Sequence, residues 1–167
     1  MKLAVGVHQL DGAAVVAAVA FDEWDAAEPS RTFTSRVAPA DTPVRSLHGA
    51  TDLAGVLQLL REHALEPELI VIDGPVHLDP AEEPGWGRQL FDALGGRSAV
   101  VGISTRAMPG LPAQFEVWRD EEARPLVVTC IGIDLGAAKV RVRTMHGRRR
   151  VPTLMKLAAR LARGGAG

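Results

Sequence analysis

Leu69-Ile70-Val71-Ile72-Asp73-Gly74-Pro75-Val76-His77-Leu78-Asp79-Pro80 is the stretch from which the fold is read. Four apolar residues run into one carboxylate, Asp73, and Gly-Pro then turns the chain. A short continuous apolar run bounded by turn residues marks a strand covered on both faces. An acid delivered beyond the carboxyl end of such a strand sits where α/β sheets bind ligands and metals.

Before this strand, residues 3–8, 13–21 and 31–38 are rich in small and β-branched residues, with Asp11-Gly12 as a tight turn between the first two. They predict an antiparallel opening meander. Residues 22–30 and 38–48 carry acids and prolines and are read as loops. From about Thr51, the residues Leu53, Val56, Leu57 and Leu60 recur at spacings of three and four, with Thr51 or Asp52 as N-cap. Beyond the Asp73 strand, Trp86, Leu90, Phe91 and Leu94 form a helical stripe that Gly95-Gly96 stops. A further apolar strand over 99–103 makes this helix a parallel crossover. Residues 115–118, 126–133 and 140–144 are read as three more strands. An amphipathic helix over 152–163 closes the chain, with Leu154, Leu157, Ala158 and Leu161 inward and Lys156, Arg160 and Arg163 outward.

At 167 residues, 47% hydrophobic and 23% charged, the chain suits one ordinary globular domain over 1–167. The apolar run 13–21, bracketed by Asp11 and Asp22, is too short to span a bilayer, so no membrane partner is expected. Cys130 is the single cysteine and falls in a strand-like run, which predicts an inert thiol and a cytoplasmic location. The net charge of −1 conceals an asymmetry. From Leu135 onward there are nine Lys or Arg residues and no acid, so the first 134 residues hold the other ten basic residues and all twenty acids. A segregated basic face suits a polyanion, because Lys and Arg gain affinity by releasing counterions from phosphates. A solvated basic tail helix is the alternative.

An antiparallel meander, a helix and then a parallel strand ending in an acid is the order found in ribonuclease H-like domains. Within that superfamily the chain resembles endonuclease V over most of its length. The likeness rests on Ala4-Val5-Gly6-Val7, on Leu69 to Gly74 with His77 and Pro80 downstream, on Val101-Gly102-Ile103, and on the Arg-rich turn before the last helix. The resemblance implies an α/β fold with a mixed sheet, an antiparallel meander followed by parallel strands, and helices on both faces. It also implies a divalent cation, magnesium or manganese, held by a strand-one Asp, a helix Glu and the strand-four Asp, cutting a phosphodiester with help from a Lys and a His.

Asp73 matches that pattern and several other positions depart from it. Gly6-Val7-His8 stands where the family has Gly-Val-Asp. Asp52 is the nearest candidate for the helix Glu, in a segment lacking the family's Tyr-hydrophobic-Pro wedge. Thr105, next to Arg106, replaces the Lys, and His146-Gly147-Arg148-Arg149 replaces the Pro-Gly-His-Arg turn. Imidazole in place of carboxylate removes a negative charge from a site meant for a dication and softens its ligand set. The expected site residues are therefore Asp73 and Asp52 for catalysis, Asp73 and His8 for metal, and Arg106, Arg148, Arg149 and Arg150 for nucleic acid. Loss of the metal is one reading. An altered hydrolase in which His8, Asp52, Asp73 and His77 hold another metal is a second. A non-catalytic interaction module and a hydrolase of small phosphorylated molecules also remain open. Each residue has a plainer role as well: His8 as an edge histidine, Asp52 as a helix cap, His77 and Asp79 as turn formers, and the Arg run as a solvated turn.

Overall fold

The computed structural model describes residues 1–10, 13–37, 50–119 and 124–164. Seven strands form one sheet: β1 (Lys2–Leu10), β2 (Ala13–Phe21), β3 (Arg31–Val37), β4 (Leu69–Asp73), β5 (Ala99–Ser104), β6 (Glu116–Val117) and β7 (Leu126–Ile131). Their order across the sheet is β3-β2-β1-β4-β5-β7-β6. The meander is antiparallel, β1–β4 and β4–β5 are parallel, and β7 and β6 return antiparallel. The Asp11-Gly12 turn and the 38–48 loop lie outside the described residues.

Helices cover both faces, as expected. On one side α1 (Ala50–Glu62) and α2 (Trp86–Ala93) bury Val56, Leu59, Leu60, Trp86 and Leu90 against Leu3, Val5, Val16, Ile70 and Ile72. On the other, α3 (Leu135–Thr144) and α4 (Thr153–Gly164) bury Ala138, Val142, Leu154, Met155 and Ala158 against Ala4, Val71, Val101, Leu126 and Val128. This two-sided cover explains why β2 and β4 read as unbroken apolar runs, whereas edge strand β3 alternates buried Phe33, Ser35 and Val37 with exposed Arg31, Thr32, Thr34 and Arg36. Along the outer edge of β3, His63 Nε2 lies 2.8 Å from the Thr34 carbonyl and Gln58 Nε2 donates to the Arg36 carbonyl at 2.7 Å.

Five local expectations are corrected. Residues 140–144 are the second half of α3 and not a strand. The valines at 140 and 142 imitate a two-residue period, but the Asp134 carboxylate caps the Ala137 amide, and Ala138 and Val142, four apart, form the buried stripe. The 115–118 strand shrinks to Glu116–Val117 behind a 3-10 turn at Ala113–Phe115, and β7 stops at Ile131 because Gly132 turns with φ 84°. Asp52 is not a cap, since α1 already begins at Ala50; it sits in the first turn and accepts a hydrogen bond from Gln9 Nε2 at 3.0 Å. Along α4 the fully buried residues are Leu154, Met155, Ala158 and Ala162, with Leu157 and Leu161 half-buried.

Gly6 sets how closely α4 approaches β1. A Cβ there would lie 2.7 Å from the Ala159 nitrogen and 2.8 Å from the Ala158 carbonyl carbon, both backbone atoms that cannot rotate aside. Gly6→Val is therefore expected to destabilise the protein by about 3 kcal/mol through overpacking, as read from the denaturation midpoint. An unchanged midpoint would contradict this account of the helix-on-sheet contact.

Candidate functional site

Strand β4 ends at Asp73, where Gly74 turns with φ 145° and its amide donates to the Ile103 carbonyl at 3.1 Å. The acid does not stay in the core. Its four predecessors are buried, but the Asp73 side chain emerges into an open cleft beyond the strand ends. Partial desolvation pushes its carboxyl above the usual carboxylate range, and the nearby Arg106 guanidinium pulls the other way. Water still reaches the group, and among the described residues it makes no ion pair within 4 Å.

The cleft has two lobes that meet at Asp73 and Thr105. One, of about 470 Å³, lies between the turn after β4 and the end of β5, and is lined by Gly74, Pro75, Leu78, Ser104, Arg106 and Met108. The other, of about 370 Å³, lies between β1 and α4, where Lys156, Arg160 and Arg163 follow one another at helical spacing above Gly6. Among the described residues one carboxylate thus faces four cations, Arg106, Lys156, Arg160 and Arg163, which makes this lining positive. The α4 cations were legible only as a solvated face. Their four- and three-residue spacing places them on one side of the helix, but only the position of α4 over β1 turns that side toward Asp73.

The other expected site residues disperse. The β1–β4 register pairs Ala4 with Val71, and its continuation brings Gly6 level with Asp73. His8 lies one pleat further along β1, partly buried and paired with Val15 on β2, and does not line the cleft. Asp52 is on α1, over the opposite face of the sheet. His77 is buried in the turn after β4, where Arg88 Nη1 lies 3.3 Å from its Nε2. Arginine only donates, so this contact requires neutral imidazole, and burial followed by the Arg88 charge lowers the His77 pKa against opposing pulls from Glu82 and Asp79. Asp79 Oδ1 accepts from the Glu83 amide, so His77 and Asp79 do shape the turn.

Among the described residues no three His, Cys, Asp or Glu side chains gather as a metal site. Asp73, the one carboxylate lining the cleft among the described residues, is a poor donor set for magnesium, which demands several hard oxygens in octahedral order. The Cys130 thiol is pushed up to about 11, first by burial and then by Asp134, which keeps it inert at neutral pH.

The basic turn divides into exposed and committed residues. Arg148 and Arg149 reach solvent. Arg150 instead donates to the Thr105 carbonyl and, at 3.2 and 3.3 Å, to the Pro125 carbonyl, so its guanidinium braces the turn against the cleft wall. Arg119 carried no signal in the sequence that set it apart from other arginines. It is 3% exposed and donates to the carbonyls of Val142 (2.7 Å), Met145 (2.9 Å), Gly147 (2.9 Å) and Arg149 (3.1 Å). It therefore fastens the C-terminus of α3 to the turn that leads into α4.

Solved structures share this fold almost end to end. The endonuclease V of Streptomyces avermitilis matches with a TM-score of 0.77 at 21% identity, over 99% of this chain and 80% of that one. The chain has the endonuclease V fold. The endonuclease V of Ciona intestinalis, solved in complex with a 23mer DNA containing an inosine followed by a ribo-adenosine, matches at 0.77 and 16% identity over 98% and 84%. That of Bacillus subtilis matches at 0.73 and 15% identity, over 99% and 79%. No protein-family model matches the chain, and no curated protein matches it by sequence. The endonuclease V fold is thus carried by shape and strand order at low identity, with the ribonuclease H-like sheet intact. Among the described residues, no helix is long and apolar enough to cross a membrane.

Proposed function

We propose that the protein binds nucleic acid in the Asp73 cleft and that its magnesium-dependent strand cleavage is very slow or absent. The observation that carries this reading is the charge of the cleft: among the described residues that line it, one carboxylate stands against four cations. A site built to concentrate dications needs clustered carboxylates. A site built to hold phosphates needs this excess of Lys and Arg. The fold shared with the DNA-bound Ciona structure supports the same reading. Arg148 and Arg149 add two exposed cations on the turn whose Arg150 is bonded to the Thr105 carbonyl in the cleft wall, and Asp73 sits at the centre of the cleft as a remnant acid.

The test is a gel-shift titration of single and double strands, with and without inosine, over a range of salt in a metal-chelating buffer. Binding is expected to weaken linearly in log–log form, by about 0.7 of a decade per decade of salt for each contacted phosphate of a single strand. Asp73→Asn is expected to bind as tightly or a few-fold tighter, because it removes the one negative charge facing the phosphates. Failure of every strand to bind at low salt would sink the proposal. With magnesium added, inosine-containing strands are expected to stay intact. Robust cleavage that disappears in Asp73→Asn would instead show that this single acid suffices for catalysis.

A further inference from the structure

The far end of the sheet carries a row of side chains that the cleft alone does not explain. Ser104 on β5 pairs with Val127 on β7, and Val127 pairs with Glu116 on β6. Directly paired residues project to the same face, so Ser104, Val127 and Glu116 form a shelf running away from Asp73. Leu126 and Val128 point the other way, into the core beneath α3 and α4. The Ser104 end of the shelf lies in the cleft, and the Val127 and Glu116 end lies in a recess of about 350 Å³ that shares Thr105 and Met108 with the cleft. That volume falls within the ~300–1,000 Å³ of small-ligand pockets.

Two further features mark the ends of this shelf. At the cleft end, Ser104 is 8% exposed and its buried hydroxyl oxygen has no hydrogen-bond partner among the described residues, a cost that buried polar atoms rarely bear. Trp118 is 51% exposed. Val117 is packed into the core and Arg119 is turned toward α3, so alternation sends Trp118 to the Glu116 side, one pleat beyond it. Trp118 does not line the recess itself, but an open indole on the sheet face that carries Glu116 is a platform of the kind on which single-stranded bases stack.

We infer that this shelf, with Trp118 at its outer end, is a second subsite that takes one unstacked base of a single strand leaving the Asp73 cleft. Trp118 stacks on the ring, Glu116 accepts hydrogen bonds from the amino and imino edge of the base, and Arg124 at the rim faces its phosphate. The inference rests on the reading of the cleft as a nucleic-acid site. It adds a preference for strands long enough to reach beyond the cleft, and for bases that present hydrogen-bond donors.

The experiment compares short and long single strands on the full chain by fluorescence anisotropy, in wild type, Trp118→Ala and Trp118→Phe. In Trp118→Ala, affinity for the longer strand is expected to fall about ten-fold, while affinity for a strand confined to the cleft is unchanged. Trp118→Phe, which keeps a stacking ring, is expected to recover most of the loss. Because Trp118 is exposed, the melting temperature should not move, and that measurement separates lost stacking from a damaged fold. Equal affinity of wild type and Trp118→Ala for the longer strand would overturn the subsite and leave the cleft reading standing. Failure of wild type to bind any strand would remove both.

Discussion

Replacing Lys156, Arg160 and Arg163 together by alanine lowers single-strand affinity about a hundred-fold at moderate salt and flattens its salt dependence by about two decades per decade. These magnitudes follow from three released phosphate contacts at about 0.7 each, counted down from a salt concentration near 1 M at which the electrostatic gain vanishes. All three side chains line the β1 lobe of the cleft and project from the solvent-facing side of α4. Their removal therefore disturbs little packing, and the denaturation midpoint should hold. The same substitutions on a helix that served only as a solvated tail would leave affinity within a factor of two. A titration of variant and wild type at several salt concentrations distinguishes these outcomes, and the slope is the more telling readout because a misfolded fraction changes the intercept alone.

Arg119→Met is expected to be the most destabilising single change, costing about 4 kcal/mol. Hydrogen bonds to a charged group contribute about 1.5–3 kcal/mol each, and buried carbonyls left without a donor add their own penalty. Here one guanidinium serves four carbonyls within 3.1 Å at the negative end of α3, where a cation also meets the helix dipole. Against a typical total of about 5–15 kcal/mol, such a loss brings the protein close to unfolding at ordinary temperatures. It should appear as a drop of roughly 10 °C in melting temperature. Arg119→Lys is expected to restore only a minor part, because an ammonium cannot fork across carbonyls spread over eight residues. A melting temperature within a degree or two of wild type for Arg119→Met would show that the turn is held by other contacts.

How much of this was legible from sequence depended on whether a residue's role is local. The span of β4, the end of α2 at Gly95-Gly96 and the amphipathic α4 are written in short-range pattern, and the structure follows them closely. The recognition of an endonuclease V-like, ribonuclease H-like sheet also rested on order along the chain and holds. The α3 segment misled because alternating valines among arginines satisfy a strand period as well as a helical one, and the deciding Asp134 cap is a contact and not a pattern. The site was harder still. Whether His8 and Asp52 face Asp73 depends on strand register and on which side of the sheet α1 packs, neither of which composition or spacing encodes. Arg119 and Arg150 look like any surface arginine until the carbonyls they serve are folded around them.

The side chains of Gln58 on α1 and of His63 just beyond it, which rest on β3, bear on how the sheet edge is protected. A sheet border with free carbonyls invites another chain to zip alongside it, the first step of edge-to-edge aggregation. Gln58 and His63 already occupy the acceptors at Arg36 and Thr34, so an incoming strand would have to displace both to pair along this part of the edge. At the opposite border β6 is only two residues long, too little to template a ladder. Both flanks of the sheet are thus stoppered against sideways growth, and any association with a second molecule is directed toward its grooves and helical surfaces.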